Sequence, residues 1–144
     1  MAGASRSDLE RFTKAQAGVW PAPQEEIRAG RKATHWIWFV LPQLRGLGRS
    51  PTATYFGIAD LCEARAYLAH RVLGPRLTEI SRAMLAHAGT APEAILGPVD
   101  ALKMRSCATL FDAAGGGPVF GRIIDAFHDG TPCPRTRALL ADAP

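Results

Sequence analysis

His35 and Asp100 are the side chains of this sequence best suited to move a proton. His35 stands just after Arg31 and Lys32 and just before Trp36 and Trp38. An imidazole flanked by cations and indoles can act as a general base or hydrogen-bond a ligand, and it can equally be a core histidine bonded to a carbonyl. Asp100, Lys103 and Ser106 recur at i, i+3 and i+6, which places them along one stripe of a helix. Arg31, Lys32 and Lys103 are the candidate anion-binding cations, and Trp36 or Trp38 could stack on a flat ring. Arg11, Gln16, Gln43 and Ser106 complete the candidate ligand-binding set. The cleft this implies lies between the Arg31–Ser50 motif, the first helix (Asp8, Arg11, Gln16) and the Asp100–Lys103–Ser106 face. The competing account is a buried polar network that fixes the fold of a non-enzymatic interaction domain.

Other chemistries find less support. The four histidines (His35, His70, His87, His128) never stand three or four residues from another His or a Cys, so no metal site is expected. Gly46-Leu47-Gly48 opens like a dinucleotide fingerprint but has Pro51 at the sixth position, and there is no Walker A motif; no cofactor is expected. A glycine loop between Arg45 and Arg49 could cradle a phosphate or form a plain surface turn. Ser106 and Thr109 belong to no nucleophile motif and read as helix residues bonding the preceding turn. Cys62, Cys107 and Cys133, scattered and odd in number, read as reduced packing or surface residues, which suits a cytoplasmic location.

The elements that must position these groups are helical. The run His35–Leu41 is apolar after its first residue and far too short to cross a bilayer, which takes about 20 apolar residues. No second strand-like run exists to pair with it, so a buried helical turn or an extended plug is expected there. Ser7-Asp8-Leu9-Glu10 fits a capping box, Asp60 caps a helix, and Thr90-Ala91-Pro92-Glu93 fits a further capping box. Helices follow from about Pro23, Pro51 (with Tyr55 and Phe56 inward), Gly74, Pro98 (with Leu102, Cys107 and Leu110 as its apolar stripe) and Pro118. Cys133-Pro134 is a weak cap, so the last helix is expected to fray. The expected fold is mainly α: a single domain over 1–144, an orthogonal array of about seven or eight short helices, with residues 1–6 a loose tail.

With 144 residues and 47% hydrophobic content, the chain suits one globular domain. No apolar signal segment or membrane span is apparent, so no membrane association is expected. The net charge of +4 is concentrated: residues 1–50 carry eight basic and four acidic side chains, and the remainder nine of each. That excess reads either as an Arg-rich composition (fourteen Arg against three Lys) or as a local site for an anionic small molecule. No basic stripe continues along a later helix, so nucleic acid is an unlikely partner, and the oligomeric state is left open.

Taken together, Asp8-Leu9-x-Arg11-Phe12-x-x-Ala15-Gln16, Gly30-x-Lys32-x-x-His35-Trp36-x-Trp38-Phe39-x-x-Pro42-Gln43-x-x-Gly46-Leu47-Gly48-x-Ser50 and Asp100-x-x-Lys103-x-x-Ser106-x-x-Thr109-Leu110-Phe111 resemble the bacterial family named domain of unknown function 1810. Glu63-Ala64-x-Ala66-Tyr67-Leu68-x-His70 and Leu73-Gly74-x-Arg76-Leu77 agree with it, and the likeness spans roughly residues 8–140. It implies a small, mainly helical cytoplasmic protein and supplies no activity. The family usually has Tyr at the position of Trp20 and an acidic residue near Cys133, which makes both poor site candidates. In size and polar-aromatic signature the chain is also loosely similar to a helical superfamily that handles NAD and ADP-ribose derivatives. That likeness implies nucleotides and ADP-ribose derivatives as ligands to test.

Overall fold

Proline opens half of the described helices. A computed structural model describes residues 6–142, with side chains from Leu9 onward. Among these residues there are ten helices: α1 Arg6–Ala17, α2 Ala22–Arg28, α3 Ile37–Val40, α4 Pro51–Phe56, α5 Leu61–Ala69, α6 Leu73–Leu85, α7 Pro92–Leu96, α8 Pro98–Ala113, α9 Pro118–Phe127 and α10 Pro134–Asp142. Five begin at a proline, whose fixed φ and missing N–H suit the first helical position. No strand is described, and a single parallel bridge joins Leu44 to Ile58. The mainly α expectation is met, with more and shorter helices than periodicity alone suggests.

The centre is α8, which packs on α5, α7, α9 and α10, while α6 packs on α2, α5 and α9. A file of rings runs through this centre. Phe56, Phe12, Tyr67, Phe111 and Phe120 follow one another at centroid distances of 6.0, 5.2, 5.4 and 5.8 Å. The Trp-rich run becomes the single turn α3, with Trp36 fully buried at its N-terminal end. Helices α5 and α6 meet closely at Gly74, where any Cβ would run into the Leu68 carbonyl oxygen.

The cap readings divide. Asp60 accepts from the Glu63 N–H at 2.8 Å, as expected. Ser50 caps α4 by accepting from Ala53 N–H at 3.0 Å. At α6 the Nδ1 of His70 accepts from Val72 and Leu73, a cap with no standard sequence signature. At α7 the N-cap is Ala91, which makes no side-chain cap, so the expected Thr90 box does not form. The Ser7 box and Asp8 fall on side chains outside the described residues.

Two packing expectations are corrected. Tyr55 is 59% exposed rather than inward, because α4 is only six residues long and buries Ala53 and part of Phe56. Of the expected α8 stripe, Cys107 and Leu110 are buried, but Leu102 is 61% exposed, and Ala101, Met104, Ala108 and Phe111 complete the buried side instead. The last helix, the one expected to fray, runs Pro134–Asp142 with Thr136 fully buried.

Candidate functional site

Lys32 leaves α2 on a short extended segment whose direction is set by its own N–H, which donates to Ile95 O at 2.8 Å. Its ammonium lies 3.0 Å from Asp100 Oδ2 and donates to Thr34 O at 2.6 Å. Asp100 sits in the first turn of α8, where a carboxylate complements the helix dipole. One turn later Lys103 places its ammonium 3.2 Å from Asp100 Oδ1. Each ammonium also lies over an indole: Lys32 at 5.0 Å from the Trp36 ring and Lys103 at 4.1 Å from the Trp38 ring. Two cations share one carboxylate, so one positive charge of the cluster is uncompensated.

Glu26 anchors the segment that carries Lys32. Its Oε1 accepts from Ala33 N–H (2.7 Å), Thr34 N–H (3.0 Å) and Trp36 Nε1–H (2.9 Å), and its Oε2 from the Thr34 hydroxyl at 2.6 Å. Desolvation raises its pKa, but the four hydrogen bonds outweigh that and hold the carboxyl down at about 2.

Beside this cluster a groove of about 330 Å³ runs between Gln43 and Leu47 on one side, α8 in the middle, and Cys133, Pro134 and Arg135 on the other. From α8 come Val99, Leu102, Lys103, Arg105 and Ser106. Three cations and no carboxylate line it. Arg105 donates to Thr131 O (2.8 Å) and Pro132 O (3.0 Å), which pins the approach to α10. Cys133 N–H donates to Thr109 Oγ1 at 2.9 Å, and Ser106 Oγ lies 3.4 Å from Cys133 Sγ. Two other hollows are less suited to a ligand. One between Arg28, Glu79, Arg82 and His87 is larger, about 480 Å³, but more open and has a carboxylate among its cations. A void between Ile27, Met84 and Met104 holds about 10 Å³, barely a water, and has apolar walls apart from Ser81.

The family model described as "Protein of unknown function (DUF1810)" matches residues 6–140. The chain belongs to the DUF1810 family. Among solved structures it is similar to the conserved hypothetical protein Rv1873 from Mycobacterium tuberculosis, at 48% identity and a TM-score of 0.92, over 94% of this chain and 98% of that one. No curated protein matches it.

This DUF1810 chain brings some of the sequence-derived residues together and disperses others. Lys32, Asp100, Lys103, Trp36 and Trp38 form the cluster just described. Within it Trp36 is sealed in the core, which leaves Trp38 as the indole with solvent access. His35 and Arg31 are exposed on the same segment, so His35 is not enclosed by its tryptophan neighbours. Gln43 and Ser106 line the groove, Ser106 with its hydroxyl also 3.2 Å from Leu102 O.

Arg11 and Gln16 lie apart from that groove. Arg11 holds Glu63 in a two-pronged pair at 2.8 and 3.2 Å and donates to Tyr55 O and Gly57 O. Gln16 is 1% exposed and donates to Phe39 O (2.7 Å) and Tyr67 Oη (3.1 Å), while its carbonyl accepts from Arg76 at 3.2 Å. Arg45, considered for a phosphate loop, donates to Thr54 O and Gly57 O at the end of α4. Sequence reasoning missed Arg105, Arg135, Cys133 and Glu26. For Cys133 a signal was present: its place just before Pro134 is the capping position of α10.

Proposed function

We propose that this protein binds a small anionic molecule in the groove between the Gln43–Leu47 loop, α8 and α10. The observation that carries this reading is the presence of Lys103, Arg105 and Arg135 in the lining, which contains no carboxylate. Lys103 is buttressed by Asp100 and Trp38, and Arg105 by two carbonyls, so both are held in place before a ligand arrives. The apolar side chains of Leu47, Val99, Leu102 and Pro134 suit the body of such a ligand. A nucleotide or ADP-ribose derivative combines anionic groups with a flat ring and is the first class to try. The three free cysteines suit a reducing bacterial cytoplasm as its setting.

Titration of the protein with ADP, NAD, ADP-ribose and inorganic phosphate, read by thermal shift, tests this. A ligand at 100 times its dissociation constant stabilises by about 2.7 kcal/mol, a shift of several degrees for a chain this size. Arg135→Ala, at an exposed position, should abolish that shift without lowering the unliganded midpoint. A shift retained in that variant places the ligand elsewhere. A second reading, an interaction face, is favoured by Val99 and Leu102, which stand 63% and 61% exposed at the lip of the groove. A flat titration would turn the weight to it.

A further inference from the structure

We propose that Cys133 is a nucleophile, and that the groove presents it to soft carbon electrophiles that carry a carboxylate or phosphate. The choice of anionic electrophiles rests on the groove reading above; the nucleophile itself does not. Cys133 borders the groove together with Lys103, Arg105 and Arg135. It stands at the N-terminus of the nine-residue α10, where backbone N–H groups point at whatever fills the cap. Those of Arg135 and Thr136 stand nearest the sulfur and favour its ionised form.

Two hydroxyls reinforce this. Ser106 Oγ stands 3.4 Å from the sulfur and 3.2 Å from Leu102 O, so its single proton can turn to either acceptor. When Cys133 is a thiol, the S–H can donate to Ser106 while Ser106 donates to Leu102. When the thiol ionises, the Ser106 proton can turn to the sulfur. Thr136 Oγ1 is fully buried, has no hydrogen-bond partner, and lies on the same side of α10 as this sulfur. Partial burial raises the thiol, but the polar groups around the sulfur, Ser106 Oγ foremost, outweigh it and hold Cys133 below the ordinary thiol range. The other two cysteines lack this setting: Cys107 is sealed in the core and burial pushes its thiol up, while Cys62 lies exposed on α5.

In the reaction the sulfur lone pair forms a C–S bond at the electrophilic carbon. With an α,β-unsaturated acid the π pair of the C=C bond moves to the adjacent carbon, which takes a proton from water. With a haloacetate the carbon–halogen pair leaves as halide. Neither route needs an oxidant or reductant.

The three cysteines allow an internally controlled test. The reduced full chain is treated at pH 6.5 with iodoacetamide, which is neutral, or iodoacetate, which is anionic, and peptide mass spectrometry follows each cysteine over time. Cys133 should react with iodoacetamide about tenfold faster than Cys62, and Cys107 should stay unmodified. The ratio of iodoacetate to iodoacetamide rates should be severalfold higher at Cys133 than at Cys62, and Arg135→Ala should bring it down. Ser106→Ala should slow Cys133 with both reagents. If Cys133 reacts no faster than Cys62 with iodoacetamide, the nucleophile is overturned, while the groove reading still stands or falls by the titration above. A fast Cys133 with the same rate ratio as Cys62 overturns the anionic preference and counts against the groove reading.

Discussion

The Lys32 ammonium lies 3.0 Å from Asp100 Oδ2, and this contact ties the segment after α2 to the first turn of α8. The pair is well shielded, with side chains 8% and 18% exposed. Removing the shared carboxylate leaves two cations facing each other, whereas removing Lys103 leaves Asp100 still paired with Lys32. Asp100→Asn should therefore cost about 3 kcal/mol. Lys103→Met should cost about 1 kcal/mol or less. Denaturant melts of both variants check the order, and equal losses would refute the sharing.

Glu26 predicts an acid limb. Its carboxyl is held at about 2, below an ordinary value of 4.5, so its contribution is complete above pH 4.5 and is lost as the pH falls towards 2. Stability should rise across that window in the wild type, and Glu26→Gln should flatten the rise. Glu26→Ala leaves the indole N–H of the buried Trp36 without its acceptor, a loss of about 2 kcal/mol at neutral pH. Thermal melts from pH 2 to 7 measure both effects.

Glu63 is 4% exposed and accepts from both Arg11 and the Ala59 N–H. Arg11→Ala strands that carboxylate and should cost about 3–5 kcal/mol. Arg11→Lys should recover little, because a lysine cannot match the two-pronged geometry. Full rescue by lysine in a urea melt would show that charge alone matters here.

At Gly74 the α5–α6 approach leaves no room for a methyl group. Gly74→Ala should destabilise by about 2 kcal/mol or more despite the better helix propensity of alanine. A neutral or stabilised variant would show that the two helices slide apart freely.

Much of the fold could be read from local signals. Proline at the first helical position, Asp60 as a cap, and the spacing of Phe120, Ile123, Ile124 and Phe127 act within a few residues, and the chain obeys them. Local signals misjudged Tyr55 and Leu102, because which flank of a short helix is covered depends on neighbours distant in sequence.

The candidate site divides on the same line. The i, i+3 spacing of Asp100 and Lys103 was enough to pair them, since a helix fixes that distance. That Lys32, sixty-eight positions before Asp100, joins the same carboxylate is settled by the packing of α7 beneath its segment. Arg11 and Gln16 carry polar heads that look free in the sequence, and burial commits them to Glu63 and to Phe39, Tyr67 and Arg76. Cys133 shows the reverse. In the sequence it is a lone thiol before a proline; in the fold, α8 brings Ser106 and Arg105 to it and gives the thiol a setting that no run of neighbouring residues specifies. Helices follow from interactions a turn apart, whereas a site is a meeting of side chains that only long-range packing brings within a few ångströms.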